Sequence, residues 1–85
     1  MAEYNIFFKQ SAVKDLDRIP KKDLQRIIRR IRLLKENPRP PGCEKLSARE
    51  RYRIRQGKYR IVYSIQDDQL IVWVVKISHR RDVYR

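Results

Sequence analysis

The chain has 85 residues, enough for one domain with one modest core and too few for a second. Lysine and arginine number 22 against 10 acids, a formal charge of +12, while 41% of the residues are hydrophobic, which excludes disorder by composition. One cysteine excludes an internal disulfide, no apolar run reaches membrane-spanning length and no secretory leader is recognisable, so the expectation is a cytoplasmic domain spanning 1–85.

The stretch Tyr4 to Phe8, "YNIFF", is aromatic and β-branched and predicts a first strand. Ser11 is placed to cap a helix whose apolar residues Ala12, Val13, Leu16 and Ile19 recur at helical spacing. Pro20 stops that helix and opens a second, Lys21 to Glu36. Its stripe of Leu24, Ile27, Ile28, Ile31 and Leu34 is core-facing, and Arg26, Arg29, Arg30 and Arg32 fall outside it. "NPRPPG", Asn37 to Gly42, ends the helix as a stiff connector.

Three strands follow, Arg51–Gln56, Lys58–Gln66 and Gln69–Ile77, with turns at Gly57 and at Asp67-Asp68. Strand, two helices and a three-stranded antiparallel meander make an α+β domain with the helices on one sheet face. Trp73 is assigned to the core, although its neighbours permit either face of its strand.

Dividing the chain after Cys43 leaves 11 basic and 5 acidic residues on each side, so the charge belongs to the whole surface. Such a field favours polyanions, nucleic acid first and an acidic protein second. Arg51, Arg53, Arg55, Lys58 and Arg60 stand in the hairpin "ERYRIRQGKYRIVY" without an acid among them. Alternation sets Tyr52 and Ile54 on one face and the three arginines of that strand on the other. A two-residue turn at Gly57-Lys58 pairs Gln56 with Tyr59 and Arg55 with Arg60, gathering Arg53, Arg55 and Arg60 on the uncovered face. Like charges across a strand pair destabilise it, so the cluster asks for an anion. Guanidinium forks match phosphate oxygens.

The tail "ISHRRDVYR" adds the single histidine, His79, with Arg80, Arg81, Tyr84 and Arg85. Cations nearby favour a neutral imidazole able to accept a proton, and Tyr84 can stack on a base or donate to phosphate. No His/Cys spacing supports a metal site, and no glycine-rich phosphate loop is present. Cys43 has no nucleophile framework around it.

With "KL" at Lys45-Leu46, "YRIRQGKYRIVY" at Tyr52 to Tyr63 and "SHRRDVYR" at Ser78 to Arg85, the chain resembles the RelE branch of the RelE/ParE toxin superfamily over essentially its whole length. The resemblance implies a small ribosome-dependent endoribonuclease that cuts mRNA in the ribosomal A site without a metal or other cofactor. The ribose 2′-hydroxyl attacks the adjacent phosphate, leaving a 2′,3′-cyclic phosphate and a 5′-hydroxyl. It implies a cognate RelB-like antitoxin over the site, and a toxin that is monomeric alone and enters larger complexes with that partner.

Matched position by position, Arg53, Arg55, Arg60, Arg81 and Tyr84 take catalytic roles, with His79 added as proton acceptor or donor. Lys45, Arg51, Lys58, Arg80 and Arg85 are expected to contact RNA. Well-known members carry lysine where Arg53 and Arg55 stand, and an arginine stays protonated, so a strand-borne base is not expected here. With one residue following Tyr84, any lid over the site is expected to come from the partner. Two other readings compete: a ParE-like toxin that binds DNA gyrase, and a basic RNA-binding module without chemistry.

Overall fold

The computed structural model describes residues 3–46 and 50–79. Strand β1 (Asn5–Phe8) leads into helix α1 (Gln10–Leu16) and helix α2 (Lys21–Leu33). Strands β2 (Glu44–Lys45), β3 (Arg51–Gln56), β4 (Tyr59–Gln66) and β5 (Ile71–His79) follow. They form one five-stranded sheet in the order β1-β5-β4-β3-β2, with β1 parallel to β5 and the other pairs antiparallel. The expected α+β domain with a C-terminal meander is therefore present, extended by the short edge strand β2. Among the described residues no helix is long and apolar enough to cross a membrane.

The helices and one sheet face enclose the core. Ile27, Ile31 and Leu34 meet Tyr52, Ile54, Ile61, Tyr63, Ile65, Val72, Val74 and Ile77, all buried. Each fully buried aliphatic side chain contributes roughly 2 kcal/mol. The buried hydrophobic residues of β3 and β4 are the ones that alternation selects, and Tyr52 stacks on Tyr63 at 6.0 Å.

Several boundaries differ from expectation for identifiable reasons. Ser11 does not cap α1; Lys9 holds that position without a side-chain bond, and the Ser11 hydroxyl donates to the Val75 carbonyl at 2.6 Å. Helix α2 ends at Leu33, and Leu34, Lys35 and Glu36 continue in a tighter turn, donating to carbonyls three residues back. Lys58 belongs to the turn, not to β4. Leu70, at φ 54, is left-handed and delays β5 to Ile71, while its carbonyl accepts from the Asn5 N–H at 2.8 Å.

Strand β5 outruns β1, and α1 covers the edge this leaves. Beyond the Lys9 N–H bond to the Val74 carbonyl at 2.9 Å, Ser11 takes up the carbonyl of Val75. Asp15 accepts from the N–H of Ile77 at 2.9 Å.

The connector is fixed through Arg39. Its fork bonds Asp67 at 3.1 and 2.8 Å, its Nε donates to the Tyr52 hydroxyl at 3.1 Å, and Tyr52 in turn donates to Glu50 at 2.6 Å. Tyr4 donates to Asp67 at 2.6 Å, and the buried Tyr63 hydroxyl donates to the Pro38 carbonyl at 2.6 Å. Burial pushes the Tyr63 phenol well above its ordinary value, so it stays a donor.

Candidate nucleic-acid interface

Gly57 makes the hairpin possible. Its φ of 60, with no positive φ at Lys58, is the pattern of a type II′ turn, which suits the twist of the strands it joins. The resulting register places Arg53 opposite Val62, Ile54 opposite Ile61, Arg55 opposite Arg60 and Gln56 opposite Tyr59. Because Ile54 and Ile61 point into the core, Arg53, Arg55 and Arg60 share the second face, which no described helix covers.

The three differ in exposure. Arg55 is exposed, Arg53 is half-buried, and Arg60, on the middle strand of the sheet, is only 9% exposed. The cluster is thus partly sunk into the face rather than wholly displayed on it.

Glu44 enters this cluster unannounced. Strand β2 sets Glu44 opposite Arg53, whose guanidinium meets the carboxylate at 2.7 Å. That contact holds the Glu44 carboxyl below its usual range, and the charges of Arg55 and Arg60 add to the effect. Arg53 Nε is nevertheless buried and has no hydrogen-bond partner among the described residues. An unmet donor on a charged group is destabilising, and a phosphate oxygen reaching it would satisfy it. A two-residue strand has no periodicity to read; an acid able to face an arginine across strands was its only sequence signal.

His79 is not brought to the arginines. Its register partner is Tyr59, and Tyr59 shares the helix-covered side with Ile61, so the residue facing the arginine row from β5 is Ser78, opposite Arg60. The His79 ring meets Tyr59 edge-on at 5.2 Å, and it lines a cavity of about 350 Å³ with Asp15, Arg18 and Lys76. The expectation of a histidine at the arginine cluster is corrected accordingly.

Lys58 lies in the hairpin turn beside Arg55 and Arg60, where these residues and Tyr59 line a small cleft. Arg51 is exposed opposite Ser64 at the far end of the same face, and Lys45 pairs with Glu50 at 3.6 Å. Arg80, Arg81, Tyr84 and Arg85 lie outside the described residues.

Trp73, expected in the core, stands instead on the open face. Its neighbours Val72 and Val74 are fully buried, while Trp73 is half-buried and packs against Phe7 of β1, its register partner.

Residues 6–84 match the family model described as the ParE toxin of the type II toxin-antitoxin system parDE. A Methanocaldococcus jannaschii chain carrying the name RelE1 is 33% identical over 89 residues, covering 98% of this chain and 97% of its own length. Toxin RelG of Mycobacterium tuberculosis is 30% identical over 96% of this chain and 97% of its own. Among solved structures, the archaeal RelE-RelB complex from Pyrococcus horikoshii contains a chain similar at a TM-score of 0.82 and 26% identity, covering 91% of this chain and 94% of that one. A hairpin that presents three arginines on an open sheet face and a match running nearly end to end lead to one family: the chain belongs to the RelE/ParE toxin superfamily, on its RelE-like side.

Proposed function

We propose that this protein is the toxin of a toxin-antitoxin pair and acts as a ribosome-dependent endoribonuclease on mRNA in the cytoplasm. The observation that carries the reading is the facing pair Arg55 and Arg60 with Arg53 beside them, one of whose donors is buried and unmet. Family membership supplies the toxin class.

In the proposed reaction the 2′-oxygen bonds to the adjacent phosphorus and gives up its proton, while the bond from phosphorus to the 5′-oxygen breaks and that oxygen gains a proton. The products are a 2′,3′-cyclic phosphate and a 5′-hydroxyl. Charge builds on the non-bridging oxygens, where preoriented guanidiniums stabilise it more than they stabilise the ground state. Arg60, withdrawn from solvent, acts at higher effective strength than an exposed arginine. Arg81 and Tyr84 complete the proposed catalytic set, and Lys45, Arg51, Lys58, Arg80 and Arg85 hold the RNA backbone. His79, lying across the sheet, is left out of the proton transfers.

A RelB-like antitoxin is the proposed partner, since the similar archaeal chain is found in a RelE-RelB complex. An acidic segment laid over the arginine face would silence it and compete with RNA.

The test is an in vitro translation reaction with purified protein and primer-extension mapping of mRNA ends. Discrete cuts within codons, dependent on ribosomes, are expected, and Arg55→Ala and Arg60→Ala should each slow cutting about a hundredfold. Arg55 is exposed, so its variant separates lost chemistry from lost fold. Intact mRNA and undisturbed translation would overturn the reading. The matched model's ParE name favours a second reading, gyrase binding, which requires DNA replication to halt before protein synthesis.

A further inference from the structure

We infer that the aromatic pair Phe7 and Trp73, with Lys9 beside it, is a stacking platform for a base of single-stranded RNA lying on the same sheet face as the arginines. The inference rests on the proposed function, in which RNA crosses this face.

Ile6 and Phe8 pack against the core, as do Val72 and Val74, so the rings of Phe7 and Trp73 both stand on the open face. Their centroids are 5.1 Å apart with planes inclined by 34°, and Phe7 remains 44% exposed. The residues of β4 opposite Trp73 and Ser78 are Ser64 and Arg60, four positions and about 13 Å apart, and Val75 is the extra residue that keeps Trp73 and Ser78 on one face of β5. Lys9 and the exposed Lys76 stand near this path.

Cations that follow a phosphate backbone and rings that accept its bases are the two components of single-strand binding. A peptide is served by charge or by apolar surface, whereas rings set among cations suit a chain that alternates bases with phosphates. The Lys9 ammonium lies 4.3 Å from the Trp73 ring centre. At an exposed site that contact is weaker than base stacking, and the lysine stem is flexible. An arriving base therefore displaces the ammonium, which turns to a neighbouring phosphate.

Trp73 is the only tryptophan, so its emission reports on the platform alone. The full chain is titrated with a labelled RNA oligonucleotide of about ten nucleotides, 2′-O-methylated throughout to prevent cutting, while label anisotropy and Trp73 emission are followed together. The inference expects quenching with the midpoint of the anisotropy curve. It also expects about tenfold weaker binding by Phe7→Ser, which keeps Trp73 and, judged by its melting curve, the fold.

Rising anisotropy with unchanged emission and wild-type affinity for Phe7→Ser would overturn the platform and leave the RNA reading intact. Ribosome-dependent cutting without any oligonucleotide binding would overturn it equally. Absence of both binding and cutting would remove the RNA reading and the platform together. Quenching by an acidic peptide but not by the oligonucleotide would assign the rings to a protein partner.

Discussion

Glu44 holds Arg53 at 2.7 Å and is kept ionised by it, so a carboxylate already occupies ground that an incoming phosphate must take. RNA binding is then an exchange, carboxylate for phosphate, on the same guanidinium. Glu44→Gln should bind an uncleavable oligonucleotide more tightly, by up to about fivefold, because the carboxylate of the pair it breaks is solvent-exposed. The gain should fade as salt rises. Equal affinities at low ionic strength, measured by anisotropy, would show that Glu44 does not compete. The arginines themselves were legible in the sequence, since strand alternation and one glycine turn fix all three. Two residues were not. Glu44 sits on a strand too short to carry a pattern, and for His79 a single step along β5 separates the two faces.

At the scale of elements, the connector from Asn37 to Gly42 buries Pro38 and is otherwise held by polar bonds. Arg39, above all, lowers the Asp67 carboxyl to about 2, with the Tyr4 hydroxyl second. A carboxyl depressed on folding contributes stability that is full above its unfolded pKa and lost as pH falls through the folded one. The Arg39–Asp67 contribution is therefore complete above about pH 4 and fades toward pH 2. Asp67→Asn should lower stability at neutral pH by about 1 kcal/mol, the pair being half exposed. In urea titrations the variant and the parent should converge between about pH 4 and pH 2. A constant gap across that range would mean that the ion pair is not the source. Helix α2 and strands β3 and β4 were readable because their apolar periods are long and unbroken. The β5 boundaries were not, because a left-handed leucine and a register shift between Val62 and Tyr63 leave no mark in hydrophobicity.

For the whole molecule, a charge of +12 is spread over both halves of the chain, yet the faces are not equivalent. Arg26, Arg29 and Arg32 are exposed on the outer side of α2, while Arg53, Arg55 and Arg60 share the open sheet face. Only groups that neutralise phosphates alter the salt dependence of binding. Arg55→Ala should reduce the log–log slope of RNA affinity against salt by about 0.7, whereas serine at Arg26, Arg29 and Arg32 together should leave it unchanged. The reverse result would move the RNA to the helical side.

From β1 the chain carries on along β5 in the same direction, changing from strand to helix as it goes. Ser11 and Asp15 are four residues apart, about 6 Å on a helix, and Val75 and Ile77 are two apart, about 6.6 Å on a strand. The two repeats are nearly commensurate, so side chains on a helix serve the backbone groups that a sixth strand would have served. The margin of the sheet nearest the His79 end is thereby closed to strand addition along Val75 to Ile77. Whatever reaches the arginines arrives across the face of the sheet and not along that margin.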